Sequence, residues 1–223
     1  MASHEVRQGS PEWLTLRLGK VTASRIAAAT AKSIANSGPG ISRTKYMEEL
    51  IYEHISGQPY EYYRSASMDW GIETEPLARA AYERHLGVNV LEIGFVDHPT
   101  IPLSGASPDG LVGNEGLVEI KCPNSHTHLE TIRKRRIAGK YIKQIRWQMA
   151  CTGRKWCDFV SYDPRVAQKN HLFIKRIHAD HEIEILEKAV IEFVQDLKKC
   201  IRERHITSKV LRNQAEAFLN IIE

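Results

Sequence analysis

Apolar residues return at three- and four-residue steps near the end of the chain. Ile183, Leu186, Val190, Phe193, Leu197 and Ile201 fall on one helical face. Ser208 predicts the cap of a last helix carrying Val210, Leu211, Phe218 and Ile221. Near the start, "PEWLTLRL" (11–18) reads as a short helix closed by Gly19, and Thr22 as the N-cap of "ASRIAAATA". The polar, Gly- and Pro-rich "KSIANSGPGIS" (32–42) predicts a mobile surface loop, after which Ser42 caps a helix running to about Ile55 and ended by Gly57. Residues 66–86, "ASMDWGIETEPLARAAYERHL", predict a helix with Trp70, Leu77, Ala81 and Tyr82 on a buried stripe and Gly87 as its C-cap. Gly71 and Pro76 blemish it, and Pro76 is expected to begin a fresh turn.

A cluster of strands follows. "NVLEIGFVDH" (89–98) predicts the first, and "LSGASPDG" (103–110) leads into "LVG". "LVEIK" (117–121) returns after the turn "GNEG" (113–116). "HLETIRKRR" (128–136) and "YIKQIRWQMACTG" (141–153) are helical, and "WCDFVSYDP" (156–164) and "HLFIKRI" (171–177) are strands. Helices, a sheet, helices, two strands and helices make one mixed α/β domain over 1–223, its C-terminal helices beginning at about 180. No internal repeat or low-complexity tract interrupts it.

Composition adds limits. With 42% hydrophobic residues in 223, the chain can bury a sizeable core. A net charge of +4 and a pI of about 8.8 are only mildly basic, so charge alone does not argue for a nucleic-acid partner. No run of about 18 apolar residues predicts a membrane span. The opening "MASHEVRQGS" lacks the apolar stretch of a secretory signal, so a cytoplasmic protein is expected. Cys122, Cys151, Cys157 and Cys200 form no CxxC pair, which favours reduced, mostly buried thiols over a zinc or iron–sulfur site.

The chemistry concentrates in "SPDGLVGNEGLVEIKCP" (107–123). Glu119 and Lys121 alternate with Val118 and Ile120, so they share one strand face, about 6.6 Å apart along the strand. Taken alone, this is equally a solvated face with a Glu–Lys contact. The "GNEG" turn folds Asp109 back towards Glu119, and two carboxylates at one point repel unless a divalent cation sits between them. Oxygen ligands of this kind suit Mg²⁺, with Mn²⁺ as a substitute. Such an ion lowers the pKa of bound water and stabilises charge on a phosphoryl oxygen. Lys121 would orient or help deprotonate that water and neutralise the transition state. A glycosidase also uses paired carboxylates, but gives Lys121 no role, and no aromatic sugar platform lies nearby.

At these residues the chain resembles the phage lambda exonuclease family of PD-(D/E)xK nucleases. Pro108-Asp109 and Glu119-Ile120-Lys121 match the short signature. "QGSPEWLTLRLGKVTAS" (8–24), "WGIETEPLAR" (70–79), "ASPDGL", "EIKCP" and "YIKQIRWQM" follow in the family's order, over about residues 8–175. The resemblance implies a restriction-endonuclease-like α/β core, with a central mixed sheet flanked by helices. It also implies a Mg²⁺-dependent 5′→3′ exonuclease that digests one strand of linear duplex DNA, releases 5′-mononucleotides and leaves a 3′ overhang. Two ions per site, a ring-shaped homotrimer, a single-strand annealing protein as partner, and phage or prophage origin in a bacterial host come with it.

By the same resemblance, Asp109, Glu119 and the carbonyl of Ile120 would hold metal, and Lys121 would be the base-like catalytic residue. Glu75 would join the acidic cluster; otherwise it is a solvated helix carboxylate. Gln144 would lie next to the scissile phosphate. Arg17, Ser24 and Ser107 would form a 5′-phosphate pocket, consistent with the planar donor fork of Arg and with Ser24 in a first helical turn. Without the family, Arg17 is an ordinary surface residue and Ser24 a cap. Such a pocket would grip each new end after a cut, so processivity would depend on it.

The chain departs from the pattern at two places. Met68 stands where the family has a leucine wedge that parts the strands, and Trp147 where it often has a tyrosine. "RKRR" (133–136), followed by Lys140, Lys143 and Arg146, is either a solvated helix face or a phosphate contact. His126, His128, His178 and His181 read as exposed loop or turn residues rather than metal ligands. The C-terminal helices are expected to pack on the core, with a trimer interface or partner surface as alternatives. Two further readings stay open: a site- or structure-specific endonuclease, and a non-catalytic DNA-end-binding recombination scaffold.

Overall fold

A computed structural model describes residues 3–4, 6–33, 38–60 and 65–222, and beyond Arg204 the backbone alone. A five-stranded mixed sheet carries the quoted motif. Its order is β3 (Val90–Leu91), β6 (Gly110–Val112), β7 (Gly116–Lys121), β8 (Trp156–Tyr162) and β9 (Leu172–His178). The β7–β8 pair is parallel and its neighbours are antiparallel. A parallel pair needs a crossover, supplied by α5 (Ser125–Lys134) and α6 (Gly139–Thr152). A smaller sheet has the order β1 (Ser3–His4), β4 (Phe95–Asp97), β5 (Ser104–Ala106), β2 (Val21–Thr22).

Strand alternation sorts the larger sheet into two apolar faces. Val118, Ile120 and Val160 pack with Ala78 and Tyr82 of α4 (Ala66–Leu86). Leu117, Cys157 and Phe159 pack with Ile145 and Met149 of α6. Each such fully buried aliphatic side chain is worth about 1.5–3 kcal/mol. The other side of α6, with Trp147 and Cys151, joins a third cluster. That cluster includes Tyr46 and Leu50 of α3 (Ile41–Ser56) and Val190, Phe193 and Leu197 of α7 (Glu182–Ile222). Thus α6 is buried on both flanks.

Several sequence expectations need correction. Residues 66–86 form the predicted helix, capped by Gly87 in the left-handed conformation, but it runs on through Gly71 and Pro76 with no fresh turn at Pro76. Its buried stripe is Thr74, Ala78 and Tyr82, whereas Leu77 is 58% exposed. The stretch 89–98 is not one strand but two, β3 and β4, which enter different sheets. Gly40, not Ser42, occupies the N-cap of α3. Thr22 occupies an N-cap position without a side-chain cap bond, and the helix expected after it is a 3-10 turn (Ala23–Arg25) followed by the four-residue α2 (Ile26–Ala29). At the C-terminus α7 runs unbroken through Ser208, so no cap separates two helices there. The 32–42 loop falls partly outside the described residues, at 34–37; its described ends are paired, Ser33 N donating to Gly38 O and Gly40 N to Ala31 O, both at 3.0 Å.

Candidate active site

The antiparallel register Gly110↔Val118 sets Asp109, one residue before β6, beside Glu119. Gly110 is required there for space rather than for a turn. A Cβ on it would lie 2.1 Å from Val90 Cγ1, and its φ is not positive. The reversal itself is made at Gly113, with φ 53°. Asp109 Oδ2 accepts from Ile120 N at 2.7 Å. From the other side, Gln8 Nε2 donates to Pro108 O and to Ile93 O, both at 2.8 Å, so the N-terminal segment holds the strand entry in place.

Lys121 gathers the candidate ligands. Its Nζ donates to Ile120 O at 2.9 Å, pairs with Glu119 Oε1 and lies 3.8 Å from Asp109 Oδ2. One ammonium therefore faces three oxygens at a single point. Glu119 is fully buried, and its other contacts come from α6. Gln144 Nε2 donates to Oε1 at 2.6 Å and Gln148 Nε2 to Oε2 at 2.5 Å. Glu75 of α4 is bound by Arg79 Nη2 at 2.7 Å, and Arg79 also pairs with Glu92 at 2.5 Å. Gln148 was missed by sequence reasoning. Its signal was its spacing of four residues after Gln144, which puts both amides on one helix face.

The electrostatics are those of crowded carboxylates. Burial first, and the Asp109 charge second, push both Glu119 and Glu75 up to about 7. Burial lowers the Lys121 pKa, but Glu119 and Asp109 outweigh it, so the ammonium form is held on balance. The Cys122 thiol is pushed up to about 12 by burial and by Glu75. Cys151 and Cys157 are buried and free, while Cys122 and Cys200 are only partly buried.

Among the described residues, no three His, Cys, Asp or Glu side chains converge as a metal cage. The donor set is smaller: two carboxylates and one backbone carbonyl, all oxygen. That set suits a hard divalent cation that keeps several waters, and the point where the ammonium meets all three oxygens is a place for positive charge.

A second constellation lies on the smaller sheet. Arg17 Nη1 donates to Ser107 Oγ at 3.4 Å, and Trp13 Nε1 donates to the same oxygen at 2.9 Å. The Arg17 guanidinium stacks over the Trp13 ring at 4.1 Å. Ser24 is exposed and lies 3.3 Å from Thr22 through their hydroxyls. The parallel pairing ends at Thr22 with Gly105; Ser24 follows in the 3-10 turn Ala23–Arg25, and Ser107 follows β5, two residues before Asp109. Helix α3 backs this segment, with Tyr46 accepting from Thr22 N at 3.2 Å and Glu53 accepting from Gly19 N at 2.8 Å. Trp13 is a second contributor that sequence reasoning left as a helix residue.

Other expected residues lie elsewhere. Met68 is 51% exposed on the first turn of α4, with Ile72 also exposed one turn on. Trp147 points away from the acids into the core, stacked on His98 at 4.9 Å. His128 is not an exposed loop residue. It is fully buried in α5, 2.8 Å from Ser161 Oγ and 2.6 Å from Asn170 O. His126, His178 and His181 are exposed. Arg133 and Lys134 close α5, and Arg135 turns the chain at φ 49°. Lys134, Arg136, Lys143 and Arg146 line a groove of about 640 Å³ that includes none of Glu75, Asp109 and Glu119. Within it Lys134 pairs with Glu130 at 2.5 Å and Arg146 with Asp180 at 2.5 Å.

The YqaJ-like viral recombinase domain matches residues 12–155. Among solved structures, an alkaline exonuclease from Laribacter hongkongensis, LHK-Exo, is 46% identical, with a TM-score of 0.84 over 91% of this chain and 100% of that one. The same enzyme in complex with dAMP matches at 45% identity with equal coverage and TM-score. A phage-related exonuclease from Haemophilus somnus 129PT is 14% identical, with a TM-score of 0.66 over 83% of this chain and 96% of that one, which speaks to fold alone. Among curated proteins none matches.

Proposed function

The chain belongs to the YqaJ-like viral recombinase domain family, and with it to the exonucleases of lambda type, and we propose that it digests one strand of linear duplex DNA from the 5′ end in a Mg²⁺-dependent reaction. One observation carries the reading: Lys121 Nζ stands against Asp109 Oδ2, Glu119 Oε1 and Ile120 O together. These three oxygens would hold the cation, with Mn²⁺ as substitute and two ions as the family resemblance implies. When bound, the metal supplies an acidified water and a counter-charge for the phosphoryl oxygen.

The protein's own groups do the rest. Lys121, held as ammonium, orients the attacking water and neutralises charge on the phosphorane-like transition state. Gln144 lies beside Glu119 Oε1, where it can steady the scissile phosphate. Glu75, once released by Arg79, adds a third carboxylate. The water oxygen forms the new P–O bond and the 3′ oxygen leaves with a proton, freeing a 5′-mononucleotide and a new 5′-phosphate. Arg17, Ser24 and Ser107 would grip that phosphate, with Trp13 holding Ser107 and Arg17 together. The exposed thioether of Met68 would part the strands. LHK-Exo crystallised with dAMP, a mononucleotide, which suits this outcome.

At the level of assembly, the reading includes a homotrimeric ring around DNA and a single-strand annealing protein that takes up the 3′ overhang. It also includes action in the cytoplasm of a bacterial host of a phage or prophage. No helix among the described residues is long and apolar enough to cross a membrane. The experiment is digestion of linear and closed circular duplex in Mg²⁺ or chelator. Loss of linear DNA alone, and only with Mg²⁺, is expected. Nicking of circles would favour an endonuclease, and binding without digestion a non-catalytic end-binding scaffold.

A further inference from the structure

Glu119 is held by two amides one helical turn apart, and the two differ in kind. Gln144 is partly exposed, so it can reach substrate. Gln148 is 0% exposed and can touch neither DNA nor bulk water. Its Nε2 donates to Glu119 Oε2 at 2.5 Å, while its Oε1 is buried and accepts no hydrogen bond among the described residues. A buried carbonyl left unmet costs stability. An apolar side chain of similar length would fill the space between β7 and α6 without that cost. The amide is therefore explained by its donor end, and the donor end meets Glu119.

We propose that Gln148 is a positioning residue that, by occupying Oε2, fixes the plane of the Glu119 carboxylate and leaves Oε1 as a single ligand atom for the divalent cation. The inference rests on the metal-dependent reading above. Helix α6 makes the geometry rigid, because Ile145 and Met149 on one flank and Trp147 and Cys151 on the other are all buried. Four residues separate the two glutamines, so one helix face delivers a donor to each oxygen. With Oε2 free, the carboxylate could rotate between one-oxygen and two-oxygen contacts. The cation would then be held less tightly and in more than one arrangement. Groups that orient a metal ligand in this way typically change metal affinity or activity by about 10–100-fold when removed.

The test is Mn²⁺ binding to the full-length protein without DNA, followed by electron paramagnetic resonance, for wild type, Gln148→Met and Glu119→Ala. The Mg²⁺ dependence of digestion and urea unfolding are measured on the same proteins. Gln148→Met is expected to weaken Mn²⁺ binding about 10–100-fold, broaden the bound-ion spectrum and raise the Mg²⁺ needed for half-maximal rate. Much of the rate should return at saturating Mg²⁺. Should the Met variant not fold, Gln148→Asn withdraws the amide by one methylene and is expected to weaken Mn²⁺ binding likewise. Unchanged Mn²⁺ affinity in a folded variant overturns the inference and leaves the metal centre standing. Wild type binding Mn²⁺ no better than Glu119→Ala overturns the metal centre, and this inference with it.

Discussion

At the scale of single residues, the centre is an arrangement of like charges held close by one ammonium. Glu119 and Glu75 are pushed up to about 7 by burial and by Asp109. Metal ligands must be deprotonated, so Mn²⁺ affinity is expected to fall as pH drops through about 7, readable by titration at pH 6 and 8. The metal-free fold should respond in the opposite sense. A carboxyl whose folded pKa lies above its unfolded value favours the folded state at low pH, and that contribution is lost as pH rises through the folded pKa. Urea unfolding should therefore show stability declining between about pH 4.5 and 7, and Glu119→Gln should remove on the order of 1–3 kcal/mol of the decline. A decline untouched by Glu119→Gln would assign it to other groups. Arg17→Ala should reduce the preference for 5′-phosphorylated ends; an unchanged preference would take Arg17 out of the pocket.

At the scale of elements, the site depends on how strands and helices are seated. Alternation in "LVEIK" made Glu119 and Lys121 legible as one face, and the short reversal made Asp109 legible as their neighbour. The partners supplied by α6 were only half legible, because both flanks of that helix are apolar and its periodicity does not say which flank meets the acids. The splitting of 89–98 was illegible for a related reason: strand-forming residues on either side of Gly94 look the same whether they feed one sheet or two. Pro76 misled only as the start of a fresh turn within the predicted helix. Pro76 is exposed on α4, and the buried anchors Thr74, Ala78 and Tyr82 carry the helix past it. Two changes probe this level. Gly110→Ala must displace Val90, at about 1–3 kcal/mol in urea unfolding, and should shift Asp109 enough to lower activity further than stability alone explains. Tyr82 donates to the buried Asp158 at 2.8 Å, and Arg176 makes two bonds at 2.8 Å to the same carboxylate. Tyr82→Phe should cost about 0.5–1.5 kcal/mol without changing the Mg²⁺ requirement; a changed requirement would tie this network to the centre.

At the scale of the whole molecule, the two constellations share one chain segment. Ser107 lies beside Arg17, and two residues later Asp109 lies beside Glu119 and Lys121, so an end gripped at the first, as proposed, would be presented to the second. Helix α7 binds the assembly through Leu186, Val190, Phe193 and Leu197, as the periodicity predicted. A ring of three 25.4 kDa chains would keep the enzyme on its substrate and should appear as a trimer in light scattering. The central claim is that the oxygens around Lys121 cut phosphodiesters with a divalent cation. Its most direct test is mononucleotide release from linear, 5′-phosphorylated duplex in Mg²⁺, comparing wild type with Lys121→Ala at equal DNA occupancy. The account predicts steady release by wild type, none in chelator, and a loss of about 10²–10³-fold or more in the variant with binding kept. Undiminished release by Lys121→Ala, or equal release in chelator, would contradict it.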